Sequence, residues 1–408
     1  MVLLENKGAL PLKNVKNVAV FGCTSFDFIA GGTGSGNVNR AYTVSLLDGL
    51  KNAGFNVDES NKEATLKHIA DEAAAYKASL PDDGLSAFYP TPRPSELVPS
   101  SRELSLSAKA NDVAIITFGR NSGEFFDRTS ADFVLSKEER KLLDSVTRAF
   151  HARRKKVIVV LNIGGVIETA SWKNVPDAVL LAWQAGQEGG NSVTDILTGA
   201  KSPSGKLPMT FPVNLMDHAS SANFPIDADT GVYFTNRRED VGQKDVDVTK
   251  YEEGIYVGYR WFDKKKLPVS YPFGYGLSYT TFEYGAPAVA NDGTTVTAKV
   301  TVKNTGAVAG KEAVQLYVSA PAGTLDKPVQ ELKAYGKTKE LAPGESQELT
   351  LTFPTSELAS FDEEASAWKV DAGTYTFLFG ASSRDIRCTA TAEAAASETP
   401  VHRVLLMK

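Results

Sequence analysis

The sequence predicts an α/β domain built on a mainly parallel sheet, followed by an antiparallel β-sandwich. Three observations carry this. From residue 17 to about residue 200, short apolar runs alternate with amphipathic stretches, as strands joined by crossover helices do. Beyond about residue 286, apolar and polar residues alternate with a period of two, the mark of half-buried strands. Between these regions, residues 203 to about 283 lose both periods and are rich in Pro, Gly and aromatic residues.

The first domain offers four strands: Val18-Ala-Val-Phe-Gly-Cys23, Val113-Ala-Ile-Ile-Thr-Phe118, Val157-Ile-Val-Val-Leu161 and Ala178-Val-Leu-Leu-Ala-Trp183. Each is apolar or nearly so throughout, which suits a strand covered on both faces. A helix should begin at Ser136, because Ser136-Lys-Glu-Glu139 reads as a capping box and Leu142, Leu143, Val146 and Phe150 then share one face. A second helix should run from Asn191 to Leu197. The stretch from Ala78 to Ser107, holding Pro81, Pro90, Pro92, Pro94 and Pro99, reads as a long surface excursion between helix and strand. The aromatic-rich segment that follows the α/β pattern reads as an ordered connector, since a disordered one would carry more charge and fewer rings.

In the sandwich, Val296, Ala298, Val300 and Val302 alternate with Thr and Lys, and an Asn304-Thr-Gly306 turn follows. Further alternating runs at Val314 to Val318, Leu349 to Phe353 and Tyr375 to Phe379 are separated by turn signals such as Ala342-Pro-Gly-Glu345. After about Ala394 no pattern is visible. The expected boundaries are therefore 1–205 for the α/β domain, 206–285 for the connector, 286–392 for the sandwich and 393–408 for a tail.

Composition narrows the function. The 408 residues hold 44 Lys+Arg and 49 Asp+Glu, a net charge of −5, with 42% hydrophobic and 23% charged residues. At about 150 residues per domain, that length suggests two to three domains, each able to bury its own core. No basic excess is present to neutralise phosphates, so a nucleic-acid partner is not expected; nothing in the composition suggests a membrane-spanning protein. Cys23 and Cys388 lie at opposite ends of the chain, which excludes a disulfide framework and a thiolate zinc site. Met1-Val-Leu-Leu-Glu-Asn-Lys7 lacks the charged-then-apolar layout of a secretory signal, so if this is the native N-terminus a cytoplasmic location is expected.

Two loops could carry chemistry. Gly31-Gly-Thr-Gly-Ser-Gly36 lies downstream of the first strand, where nucleotide-binding folds place their phosphate loops. It fails as such a loop: Asn37 or Asn39 stands where a third glycine is needed, and Asn37-Val38 stands where Lys and Ser or Thr would follow. At the carboxyl end of a strand it could still line a sugar or be a simple turn. The second loop, Gly119-Arg-Asn-Ser-Gly-Glu-Phe-Phe-Asp-Arg128, leaves the end of another strand. One reading makes it a solvated turn in which Asp127 pairs with Arg120 or Arg128. The other makes Glu124 a proton donor whose pKa is raised by flanking phenylalanines, with Asp127 and Arg128 holding the loop in shape. His68, His151, His218 and His402 suggest surface or packing roles. No histidine has a second ligand at metal-binding spacing, so neither a metal nor a cofactor is expected. The aromatic runs Tyr256 to Phe262 and Tyr271 to Tyr284 could stack on sugars, but packing between domains is the plainer reading.

Taken in order, Val2-Leu-Leu-Glu-Asn6 through Leu10-Pro-Leu12, Ser122-Gly-Glu-Phe-Phe-Asp-Arg128, Trp183-Gln-Ala-Gly-Gln-Glu188, Pro203-Ser-Gly-Lys-Leu-Pro208 and Tyr271-Pro-Phe-Gly-Tyr-Gly-Leu-Ser-Tyr-Thr-Thr-Phe282 closely resemble the C-terminal half of family 3 glycoside hydrolases, the β-glucosidase and β-xylosidase group. The resemblance runs from residue 1 to about residue 390. It implies an α/β sandwich domain with a mainly parallel sheet, followed by an all-β fibronectin type III-like sandwich. It also implies a retaining mechanism, in which an aspartate nucleophile comes from a (β/α)₈ barrel and a glutamate acid/base from the α/β sandwich domain. Glu124 matches the acid/base by its place in the Ser-Gly-Glu-x-x-Asp-Arg motif, which turns the balance against the solvated turn. The Gly31 to Asn39 loop resembles the one that borders the sugar pocket, so Gly34, Ser35 and Asn37, with Phe125 and Phe126, become candidate substrate-binding residues. Arg120, Asp127 and Arg128 become candidate supports of the loop. The usual small residue after the glutamate is here Phe125, which implies a differently shaped aglycone side.

The barrel, which usually precedes a segment like the one near Val2, is missing from these 408 residues, as is the Ser-Asp-Trp type segment that carries the nucleophile. A retaining glycosidase holds its two carboxyl groups ~5 Å apart across the scissile bond, so half the pair cannot perform a double displacement. The chain could be a fragment of a cut or separately expressed enzyme, one half of a rearranged gene, or a free-standing accessory protein. The expected function is the acid/base-bearing half of a retaining exo-β-glycosidase, a β-glucosidase first of all. Its partners would be a β-glucoside or short oligosaccharide and a (β/α)₈ barrel domain or chain. The alternative is a non-catalytic carbohydrate-binding or assembly module.

Overall fold

The computed structural model describes residues 1–81, 92–124, 128, 130–222 and 251–402. The chain divides into two compact units, Met1–Gly205 with Phe211–Glu252, and Lys206–Thr210 with Glu253–Lys408.

The first unit is built on strands β1 (Val2–Asn6), β2 (Asn17–Phe21), β3 (Asn56–Asp58), β4 (Val113–Arg120), β5 (Lys156–Ile163) and β6 (Ala178–Leu181). They form one sheet in the order β1-β6-β5-β4-β2-β3. Every neighbouring pair is parallel except β1 on β6. All eight residues of β4 are buried, as are the last seven of β5, so the sheet is covered on both faces as its unbroken apolar runs require. Helices α1 (Leu46–Asn52), α2 (Lys62–Ser79), α3 (Ser101–Ala110), α4 (Ser130–Phe133), α5 (Lys137–His151) and α6 (Gly189–Thr198) belong to this unit. The capping box at Ser136 forms as expected, and Leu142, Leu143, Val146 and Phe150 are fully buried beneath it. Ser45 and Ser100 cap α1 and α3 in the same way.

The excursion expected from Ala78 to Ser107 is corrected. Helix α2 reaches Ser79 and α3 starts at Ser101, and the Pro-rich stretch is not simply surface: Glu96 is 5% exposed, and its carboxylate accepts the Cys23 amide at 2.8 Å. The prolines removed the helical period that would have shown these residues folding onto the sheet's edge. Residues 82–91 of this stretch lie outside the described residues, as do residues 223–250 of the connector.

The second unit contains the sandwich. One sheet is Ala288–Asn291, Thr295–Asn304 and Ser346–Pro354, with Phe282–Tyr284 also on Thr295–Asn304; the other is Glu331–Lys337, Ala313–Ser319, Gly373–Ser382 and Asp385–Ala394. Val296, Ala298, Val300 and Val302 face a core shared with Leu316, Phe377 and Phe379. Asn304 closes the predicted turn by accepting the Gly306 amide at 3.0 Å. The connector aromatics pack within this unit: Tyr259 stacks on Phe273 at 4.9 Å and Tyr271 on Tyr275 at 5.2 Å. The patternless tail is a correction too. Ser397–Pro400 forms a strand on Ala367–Val370, which pairs in turn with Ser360–Asp362 in a small third sheet. All four tail residues are exposed, so no alternation of buried and exposed side chains announces the strand. Among the described residues, no helix is long and apolar enough to cross a membrane.

Candidate active site

Parallel strands leave their connecting loops gathered at one edge, and in open α/β sheets ligand crevices form at the carboxyl ends. Here the loops after β2, β4, β5 and β6 meet at that edge. Asn162, fully buried near the end of β5, ties three of these segments together: its Oδ1 accepts the Ile29 amide at 2.7 Å, and its Nδ2 donates to Ile29 O at 2.9 Å and Trp183 O at 2.8 Å. Gln184 Nε2 donates to Asn121 Oδ1 at 3.0 Å, joining the β6 loop to the β4 loop. The backbones pass so closely that a Cβ on Gly32 would lie 2.4 Å from Ser122 O, and one on Gly164 would lie 2.1 Å from Ser122 Oγ.

The glycine-rich loop docks directly on the Glu124 loop. Thr33 and Gly123 form a parallel bridge, with the Thr33 amide on Ser122 O at 3.2 Å and Thr33 Oγ1 donating to Glu124 O at 3.1 Å. Ser35 then binds the carboxylate twice: its Oγ donates to Oε1 at 2.7 Å and its amide to Oε2 at 3.1 Å. Gly34 makes room for this, since its φ is +63° and a Cβ there would lie 2.5 Å from both the Cβ and Oε2 of Glu124. An amide of the kind a phosphate loop offers its anion is thus already taken by a carboxylate.

Glu124 is exposed, and the Ser35 hydroxyl, followed by the Ser35 amide, holds its carboxyl below the usual glutamate range. The raised pKa expected at this position is therefore corrected for this chain: donors that favour the ionised form outweigh desolvation. Phe125, Phe126 and Asp127 lie outside the described residues. Asn37 is exposed at the end of the 3₁₀ turn Gly34–Gly36, its amide on Gly34 O at 2.9 Å.

Both arginines are anchored by described residues, while any pairing of either with Asp127 lies outside the described residues. Arg120 is 1% exposed, and its guanidinium grips Glu139 with two bonds of 2.7 and 2.9 Å. It also donates to the carbonyls of Gly119, Asp132 and Val134. Arg128 donates to Val166 O and Asp132 O, each at 2.9 Å, so both ends of the loop hang on the Asp132 carbonyl. Arg93, from the Pro-rich stretch, adds a third cationic contact to Glu139 at 2.6 Å. Burial pushes the Glu139 carboxyl up, against the pull of Arg93 and the Ser136 amide. Nearby Glu96 is pushed up to about 7, first by burial. Arg93, Glu139 and Asn162 were not singled out from sequence. Glu139 was visible only as a capping residue, and the sign that it did more was an arginine, Arg120, at the end of an otherwise apolar strand. Among the described residues, no group of three His, Cys, Asp or Glu side chains converges as a metal site.

The profile of the glycosyl hydrolase family 3 C-terminal domain matches residues 1–279, and that of a fibronectin type III-like domain matches residues 312–383. The chain belongs to glycosyl hydrolase family 3. Within this family it is 36% identical to β-glucosidase A of Butyrivibrio fibrisolvens over 95% of its length, covering 49% of that protein. It is 37% identical to a β-glucosidase of Ruminococcus albus, again over 95% of its length but only 38% of the relative's. The structure of β-glucosidase 3B from Thermotoga neapolitana in complex with glucose superposes with a TM-score of 0.87 at 42% identity, over 98% of this chain and 53% of that one. The family 3 chain described here thus spans about half the length of the curated relatives it matches. The α/β domain on a mainly parallel sheet and the fibronectin type III-like sandwich expected from the resemblance are both present.

Proposed function

We propose that this chain is the acid/base-bearing half of a retaining exo-β-glycosidase, a β-glucosidase, and that Glu124 is its acid/base. One observation supports this above the rest: an exposed carboxylate, in its motif, stands at the carboxyl edge of the parallel sheet with both oxygens oriented by Ser35. The relatives' β-glucosidase names give the substrate class. In this reading a (β/α)₈ barrel, supplied by a longer chain or a second one, brings the aspartate nucleophile. That aspartate attacks the anomeric carbon while the glycosidic C–O bond breaks and Glu124 gives its proton to the departing oxygen. Glu124, now a base, takes a proton from water as that water attacks the anomeric carbon and the glycosyl ester breaks. Gly34, Ser35 and Asn37 would border the sugar, with Phe125 and Phe126 on the aglycone side. Arg120 and Arg128 hold the loop's ends, and Asp127 would complete that support.

In the assembled enzyme, Glu124→Ala should lower kcat/KM on substrates with poor leaving groups by about 10²–10⁴-fold. Azide should restore turnover on an activated aryl glucoside and yield a β-glucosyl azide of retained configuration. Full activity on natural glucosides would overturn the assignment. The depressed pKa of Glu124 favours a second reading, in which the ionised carboxylate only accepts sugar hydroxyls in a non-catalytic binding module. Hydrolysis of an aryl β-glucoside by the chain mixed with a family 3 barrel, and not by the chain alone, supports the first reading. Sugar binding without hydrolysis in either supports the second.

A further inference from the structure

The second unit carries a groove of about 1100 Å³ that the acid/base chemistry does not use. Its floor includes one face of the small sheet formed by Ser360–Asp362, Ala367–Val370 and Ser397–Pro400. Phe361 stands opposite Trp368, and Trp368 opposite Thr399, so the three side chains form one row across three strands. Both rings line the groove and remain in water, Phe361 41% and Trp368 48% exposed. Their centroids are 5.1 Å apart and their planes tilted by 57°, giving a bent strip of aromatic surface.

The polar walls define what the strip would hold. Among the described residues they carry six carboxylates against two cations, which disfavours an anionic ligand. Both cations are already paired, Arg260 with Glu331 at 2.9 Å and Lys333 with Glu331 at 3.3 Å. Glu357, Glu363 and Glu364 make no ion pair among the described residues and are free to accept hydroxyl donors. The exposed hydroxyls of Ser397 and Thr399 can both donate and accept. Flat apolar faces beside hydroxyl groups are the surface of a pyranose ring, and in a β-linked glucan all ring hydroxyls are equatorial, leaving both faces apolar.

We propose that this groove binds a β-glucan chain, with Trp368 and Phe361 as stacking platforms and Glu357, Glu363 and Glu364 accepting sugar hydroxyls. The glucosyl identity rests on the function proposed above; the groove itself does not depend on Glu124. The test is calorimetric titration of the whole chain with cellohexaose, and separately with hexalysine, which an acidic wall would also attract. Cellohexaose should bind, and Trp368→Ala should weaken it by about tenfold or more. Trp368→Phe, which keeps a ring, should bind within about threefold of the parent, and Glu363→Gln should weaken binding with the aromatic row intact. Should Trp368→Ala fail to fold, those two variants carry the test. The proposal is overturned if cellohexaose does not bind, if hexalysine alone binds, if Trp368→Ala binds like the parent, or if Glu363→Gln does. It is also overturned if Glu124→Gln abolishes binding, because the sugar would then occupy the acid/base site. A failure of the Glu124 reading appears instead in hydrolysis, which calorimetry of the chain alone does not measure.

Discussion

A carboxyl group that must donate a proton near neutral pH needs an environment favouring its neutral form, and Glu124 has the opposite one. Ser35 gives two hydrogen bonds to the ionised form, and exposure leaves little desolvation to oppose them. The sign of a Ser35→Ala change follows. Losing the hydroxyl donor, the largest cause of the shift, makes ionisation less favourable, so the Glu124 titration midpoint must move up towards that of an ordinary glutamate. Carbon-13 NMR of labelled glutamate side chains, with Glu124→Gln to identify the resonance, reads this directly. A midpoint that does not move would show that Ser35 is not what holds the carboxylate. Sequence reasoning reached Glu124 and Ser35 as separate candidates, through two motifs about ninety residues apart. It did not reach their hydrogen bonds, because nothing in either motif encodes the register in which Thr33 pairs with Gly123.

At the scale of elements, the strands and capped helices were legible wherever a period was unbroken. β4, β5 and the Ser136 helix appear where apolar runs and the capping box place them. The edge strands β1 and β3 were missed for a physical reason: β3 is short and at most half-buried, and β1 is antiparallel at the sheet's margin, so neither has an extended apolar run. The Pro-rich stretch was misread in the same way, since the ion pair of Arg93 and the burial of Glu96 depend on partners far along the chain. That last miss leads to Glu139, whose carboxylate joins the cap of α5, the end of β4 and the Pro-rich stretch through Ser136, Arg120 and Arg93. Glu139→Gln would leave the fully buried Arg120 without its counter-ion, a change that costs about 3–5 kcal/mol when a buried pair is broken. Urea unfolding should show that loss, and adding Arg120→Met should recover part of it by removing the stranded charge. Additive losses in the double variant would mean the pair is not coupled.

At the scale of the whole molecule, the order of the domains was legible because each has its own period, two in the sandwich and strand–helix alternation before it. What lay beyond the sequence is how Glu124, one half of a catalytic pair in the function proposed above, behaves before it meets the other. In this chain Glu124 faces water and Ser35, and its carboxyl is held low. Seating a barrel over the carboxyl edge would change both terms. Water would be displaced from the carboxyl, and the nucleophilic aspartate would stand ~5 Å away as a like charge. Both changes penalise the ionised form, so they act together against the pull of Ser35. The Glu124 titration midpoint should therefore rise when the chain is combined with a family 3 barrel, and fall back when the barrel's aspartate is replaced by asparagine, which removes the like charge but keeps the burial. The fall should be partial, because desolvation remains. Measuring the labelled Glu124 resonance in the chain alone, in the complex and in the asparagine complex separates the two contributions. A midpoint that stays low in the complete assembly would leave Glu124 ionised when the leaving oxygen needs its proton, and the acid role would then have to pass to another group.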